Sequence, residues 1–230
     1  MSLLKIQILL SLVLAESALE LVPKELQKHN SVLSYSKKMN KEPSDVILDI
    51  SWHYAAMKGI KDELKRGRPD LVHFCMLEAC SIPLYFEKKL RVYIHTVDNK
   101  VIFIGKKVRL PKSYHRFIGL MEKLFSDKKI QEDGKNLLEI KDMTFDNLIG
   151  RIGAEQVIGL STKGLKGSYH QLAQELGNNS CIVVGGFARG HFSETVLKKI
   201  DRLICIEKNP LEAHVVIARL LYECEKRIIM

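Results

Sequence analysis

An α/β fold with a largely parallel sheet and an inserted hairpin is what this sequence predicts, and two observations predict it. In the last third, QVIGLST at 156–162, CIVVGGFARG at 181–190 and RLICIEKNPLE from 202 each read as a strand running into a loop, with helical patterns between and after them. Earlier, RVYIHT at 91–96 and VIFIG at 101–105 flank a VDN turn, the pattern of a hairpin. The chain has 230 residues, 46% of them hydrophobic and 27% charged, enough apolar surface for one substantial core. Residues 1–230 therefore read as a single domain.

Residues 7–15 (QILLSLVLA) predict a first, buried strand. Their outline, a lysine and an apolar run before small residues, also fits a signal peptide, but Lys5 is a thin basic region and ALELVP continues apolar. Pro23 starts a short helix to about His29, and the lysine-rich 32–44 suits a surface loop. VILDI at 46–50 reads as a second strand passing into a helix with His53, Ala56, Met57 and Ile60 at helical spacing. GRPD at 67–70 is a turn before a helix that stops at Pro83. Pro111 opens a helix with Phe117, Leu120, Met121 and Leu124 on one face. Residues 126–136 are polar, LLEI at 137–140 is a weak strand, and 144–150 begin a short helix. YHQLAQEL is a helix closed by Gly177, and Asn209–Pro210 turns into a long final helix.

Lys plus Arg number 36 against 27 Asp plus Glu, a net charge of +9 that favours an anionic partner, nucleic acid or an anionic membrane surface. No apolar run is long enough for a transmembrane helix. Cys75, Cys80, Cys181, Cys205 and Cys224 form no CxxC pair and no zinc spacing, so we expect no metal; their apolar neighbours suggest buried thiols in a reducing compartment. The glycines of GGFARG lack the spacing of a dinucleotide fingerprint, and no phosphate-binding GxxxxGK[ST] loop is present.

Ligands in open parallel sheets bind beyond the carboxyl ends of the strands. Here those ends are Gly159–Thr162, Gly185–Gly190 and Ile206–Leu211: three ordinary turns, or three loops converging on one adenosine-like molecule. Lys106, Lys107, Arg109, Lys112, His115 and Arg116 are a basic cluster, either a solvated face or a phosphate-contacting stripe. Arg68 and Asp70 stand side by side as a helix-capping salt bridge, an oriented RNA contact, or both. Asp49 and His53 form a second polar pair, read as structural.

GRPDLVHFCMLEACSIPL, RVYIHT, RLPKSYHRFIGLM, VVGGFARGHF and NPLEAHVVIARLLYE follow one another in this order. Together with the opening ILLSLVLAESALELVP, they resemble the archaeal form of the small-subunit rRNA pseudouridine N(1)-methyltransferases, a family of the SPOUT superfamily, over most of residues 7–225. The resemblance implies a SPOUT-type α/β domain with a C-terminal trefoil knot, a basic insertion at about 85–140, and a first strand that is kept. It implies a homodimer that binds S-adenosyl-L-methionine, with S-adenosylhomocysteine as product. Cofactor contacts would come from Leu160, Thr162, Gly185, Gly190, Ile206, Glu207, Lys208, Asn209, Pro210 and Leu211. RNA contacts would come from Arg68, Arg109, Lys112 and Arg116. His53–Tyr54 stands where the family often has paired histidines, and Ala188–Arg189 where it often has Pro–His.

The activity so implied is methylation of ring nitrogen 1 of a pseudouridine in small-subunit (16S-type) rRNA, during ribosome biogenesis in the cytoplasm, with small-subunit ribosomal proteins as further partners and no membrane. Asp70 would orient Arg68 or assist departure of the nitrogen's proton. Two alternatives stay open: a non-catalytic rRNA-binding assembly factor, and a knotted tRNA methyltransferase.

Overall fold

Leu10–Ser17 (β1) runs through the middle of an eight-stranded sheet and is buried along most of its length. The computed structural model describes residues 8–106 and 108–230, so Lys107 and the first seven residues, including the start of the N-terminal apolar run, lie outside the described residues. After β1 come Asn30–Met39 (α1), Ile50–Met57 (α2), Pro69–Cys80 (α3), Pro83–Phe86 (α4), Leu90–Thr96 (β2) and Lys100–Ile104 (β3). Tyr114–Asp127 (α5), Lys129–Glu132 (β4), Lys135–Asp142 (β5) and Phe145–Ile152 (α6) follow. The last third holds Gln156–Lys166 (β6), Tyr169–Glu175 (α7), Ser180–Gly185 (β7), Glu194–Leu197 (α8), Arg202–Cys205 (β8) and Ala213–Ile228 (α9).

The strand order is β4-β5-β3-β2-β1-β7-β6-β8. Strands β2, β1, β7, β6 and β8 pair parallel, and β3, β5 and β4 extend the sheet antiparallel from β2. The predicted hairpin is β2–β3, turned by Asn99 in the left-handed region (φ 58°). Alternation along β1 feeds two cores. Leu10, Leu12 and Leu14 pack with α3, α5, α7 and α9 on one face, while Val13 and Ala15 pack with α6 and α8 on the other. A smaller apolar cluster of Val22, Leu26, Val32, Leu48, Ala56 and Met57 seats α1 and α2.

The tail of β6 departs from a simple strand. Leu160 and Leu165 both stand opposite Ile204, so 161–164 are looped out between two stretches that pair with the same strand. A Cβ on Gly164 would lie 2.5 Å from the Leu203 carbonyl carbon, so only glycine lets the two backbones come this close.

Four local expectations are corrected. Residues 30–39 are a helix, not a loop: Val32 and Ser36 are buried on one face, the His29 ring accepts from Ser31 N at its start, and Asn40 in the left-handed region ends it. VILDI makes one antiparallel bridge, Leu21 to Ile47, rather than a strand, because α2 begins at Ile50 under the Asp49 cap. The stretch after Pro23 is a single 3-10 turn, Lys24–Leu26. Neither Pro111 nor Pro210 opens its helix, since Ser113 and Glu212 are the caps of α5 and α9. The polar 126–136 contains β4, an edge strand that needs no apolar face.

All five cysteines are free and buried, and burial pushes the thiols of Cys80, Cys181 and Cys224 up to about 12. In Ellman's assay at pH 8 the native chain should react slowly or not at all, and release all five equivalents once denatured; fast native reaction would contradict this packing. His53 and His95 are buried imidazoles held below the ordinary histidine value by burial, against raising contributions from nearby acids. The unfolded chain therefore binds protons that the fold excludes, so their contribution is complete above about pH 6.5 and is lost as pH falls through that value toward the depressed folded-state ones. Urea unfolding should show a lower midpoint at pH 5.5 than at pH 7.5, with a shallower dependence for His95→Gln.

Candidate active site and its basic rim

The parallel pairing brings the carboxyl ends of β6, β7 and β8 to one edge of the sheet, where their loops and the start of α9 line a cavity of about 570 Å³. That volume suits a small molecule, since ligand pockets commonly run to roughly 300–1,000 Å³. Leu160, Ile204, Ile206 and Val216 supply apolar wall; Ser161, Thr162, Asn209 and Glu212 supply polar groups. The Tyr169 hydroxyl, also on the wall, is buried without a hydrogen-bond partner. An apolar slot with an unspent hydroxyl and strand-end loops fits the adenosyl and amino-acid portions of S-adenosylmethionine.

The glycine loop on one side of the cavity is braced from beneath. Glu16, at the end of β1, accepts from Lys65 Nζ at 2.9 Å and from Ser193 N at 3.1 Å. The Lys65 ammonium also lies 4.7 Å from the Phe187 ring centroid, and Phe187 lines the cavity. Gly190 sits at φ +109°, which side-chain-bearing residues rarely adopt, with Lys65 passing beside it. Arg66 forms a two-pronged pair with Glu20 at 2.7 and 2.6 Å, although burial still leaves the Glu20 carboxyl raised. Residues 65–66 thus tie the turn before α3 to the end of β1.

Of the ten residues expected around a cofactor, Leu160, Thr162, Gly185, Gly190, Ile206, Glu207, Asn209, Pro210 and Leu211 line the cavity; Lys208 is exposed and does not. Arg68 and Asp70 form a fork, Nε to Oδ1 at 2.8 Å and Nη2 to Oδ2 at 2.9 Å. That hydrogen bond raises the Arg68 guanidinium's pKa further, burial opposes it, and the Glu212 and Asp49 carboxylates add to the rise. Leu71, next along α3, is part of the cavity wall, so the fork stands at the rim.

The basic segment is anchored to this rim at two points. The His73 ring bonds through Nε2 to the Pro111 carbonyl at 2.7 Å, so the carbonyl accepts and Nε2 carries the proton. Tyr114 Oη donates to Asp49 Oδ2 at 2.5 Å, and burial together with that carboxylate pushes the phenol far above its ordinary pKa. Arg109, Lys112 and Arg116 are exposed around these anchors. Arg109 precedes the helix as expected, but Lys112, expected with Arg116 on one helical face, lies before the Ser113 cap, so only Arg116 is on α5. Sequence reasoning missed Tyr169, Phe187, Glu212, His73 and Tyr114. The last two act through partners 38 and 65 residues away, a separation that local spacing does not encode.

The sequence model of the EMG1/NEP1 methyltransferase family matches residues 12–225. The chain is 42% identical over 219 residues to "Ribosomal RNA small subunit methyltransferase Nep1" of Thermococcus sibiricus, covering 94% of this chain and 98% of that protein. It is 39% identical over 218 residues to the protein of the same name from Staphylothermus marinus, covering 94% and 95%. Among solved structures it is similar to Archaeoglobus fulgidus Nep1 bound to S-adenosylhomocysteine, with a TM-score of 0.85, 31% identity and coverage of 95% and 97%.

Proposed function

The chain belongs to the EMG1/NEP1 methyltransferase family, and from that premise we propose that it methylates ring nitrogen 1 of a pseudouridine in small-subunit rRNA. It is an S-adenosylmethionine-dependent methyltransferase of small-subunit rRNA. The observation that carries the finer reading is the adjacency of one adenosyl-sized cavity and the Arg68–Asp70 rim with its basic neighbours.

Bound S-adenosylmethionine supplies a methyl group already activated by a positive sulfur. The protein's work is then positioning and desolvation. Leu160, Ile204, Ile206 and Val216 would bury the adenosyl moiety; Thr162, Glu207, Asn209 and the backbone at Gly185 and Gly190 would fix its polar edges, with Pro210 and Leu211 closing the mouth. Arg68, Arg109, Lys112 and Arg116 would hold phosphates around a target base unstacked from its loop. As the N–C bond forms, the C–S bond would break and the ring nitrogen would give up its proton to solvent water, leaving S-adenosylhomocysteine. Asp70 has both oxygens engaged by Arg68, which supports an orienting role over a proton-accepting one.

The same reading takes residues 1–230 as one knotted SPOUT domain, with 85–140 as a basic insertion whose antiparallel strands widen the sheet, and two copies joined as a homodimer in the cytoplasm, with small-subunit ribosomal proteins as neighbours. No described helix is long and apolar enough to cross a membrane.

Incubated with a pseudouridine-containing small-subunit hairpin, its uridine twin and tRNA, the enzyme should methylate only the first, as read by mass spectrometry. Equal labelling of the twin would reject the nucleobase specificity, and labelling of tRNA alone would reject the substrate. Asp70→Ala should lower turnover by roughly tenfold to a hundredfold while S-adenosylhomocysteine affinity, measured by calorimetry, is retained. Wild-type turnover would remove the fork from the mechanism.

A further inference from the structure

Asp49 and Tyr114 also line a second, smaller depression that the reading above does not use. Trp52, the chain's one tryptophan, projects from α2 with 45% of its surface open. Its ring stacks on Tyr35 of α1, centroids 5.2 Å apart and planes 29° apart, so its orientation is fixed by the protein. The Lys38 ammonium lies 4.9 Å from the same ring. Tyr54, two residues on, is 57% exposed, with Lys58 at 5.3 Å from its ring. Trp52 and Tyr35 share this second, shallow pocket of about 80 Å³ with Tyr114 and His115 of the basic segment. Residues of the RNA rim and the aromatic platform are therefore walls of one depression.

We propose that Trp52 is a stacking platform for an unpaired base of the RNA, one that flanks the target nucleotide and is not itself methylated. The proposal rests on the rRNA reading above. Exposed aromatics backed by a protein ring and surrounded by lysines are the chemistry of single-strand recognition: the ring takes a base face and the cations take phosphates. Lys38, now 4.9 Å from the indole, would move to a phosphate. The pocket floor selects for the base, not the backbone. Asp49 and Glu122 line it and would repel phosphate. Both carboxylates are held from within, Asp49 by Ser51 N and Tyr114 Oη, Glu122 by Ile47 N and Lys41, so they form a fixed edge. A hydrophobic partner would gain little from such a floor. The depression is too shallow to engulf a nucleoside and deep enough to seat one edge of a base stacked on Trp52.

Because Trp52 is the sole tryptophan, its emission reports the event directly in the unmodified full-length chain. The pseudouridine hairpin is titrated into the protein while anisotropy of a label on the RNA follows binding. We expect saturable quenching of the emission that tracks the anisotropy, and a loss of affinity of about fivefold to a hundredfold for Trp52→Ala. Trp52→Phe, which keeps a stacking face, should recover most of it, and S-adenosylhomocysteine binding by both variants shows that they are folded. Binding by anisotropy with unchanged emission and an unaffected Trp52→Ala affinity overturns the platform and leaves the proposed function standing. Absence of any RNA binding overturns both. Emission that shifts with protein concentration and ignores RNA would assign the face to a second copy of the chain, and would also overturn the proposal.

Discussion

The close passage of the β6 tail over β8 is the constraint on which the site depends. Leu160 and Leu165 share one partner, Ile204, and Gly164 lets the returning backbone lie against Leu203 and Ile204. Gly167 N then bonds the Cys205 carbonyl at 3.0 Å, fastening the end of the excursion. Of the residues looped out, Ser161 and Thr162 form part of the cavity wall. A straight β6 would continue past β8, and the loops after β7 and β8 would face solvent with nothing opposite them. Sheet geometry alone aligns three strand ends; this crossing turns their open edge into a half-open cleft.

Such a cleft would be of little use if the glycine loop could collapse into it, and the buried ionic braces address that. Glu16 and Lys65 are 12% and 16% exposed in their side chains, and Arg66 and Glu20 only 12% and 3%. Pairs so placed add little net stability, because desolvation offsets their attraction. Their value is geometric. Glu16–Lys65 fixes the end of β1 to the turn that precedes α3, and to the glycine loop through Phe187 and to Ser193 beyond it, while Arg66–Glu20 ties the same turn to the segment after β1. The same turn carries Arg68 and Asp70. One set of contacts therefore sets both the shape of the cavity and the place of the rim arginine relative to it.

How much of this was legible follows from what each signal encodes. The three strands of the last third, the hairpin and the loops lining the cavity were readable because period and punctuation are local properties, and parallel strands imply loops at one edge. The α1 helix was not, because its apolar face is narrow: Val32, Ser36 and half-buried Tyr35 among lysines look like solvated chain until α2 is there to receive them. The helix starts at Pro111 and Pro210 were misread for a related reason. Proline permits a first turn without requiring one, and at 111 the carbonyl is taken by His73, from an element far back in the sequence. Of the cofactor candidates, Lys208 followed from loop position alone, and its neighbours on either side line the wall while it does not.

That misreading of residue 111 changes what the basic residues can do. Lys112 and Arg116 on one helical face would move as a unit. Instead, Arg109 and Lys112 sit on an extended segment pinned at Val108 by the Tyr85 hydroxyl, 3.0 Å away, at Pro111 by His73, and at Tyr114 by Asp49. A segment held at three points has surrendered most of its backbone entropy during folding, so binding a polyanion need not order it again. Arg68, held by Asp70, is ordered in the same way. Positive charge by itself would attract any nucleic acid. Under the proposed reading, cations fixed beside the cavity would favour a folded single-stranded loop over a duplex, because a loop can present an unstacked base to it.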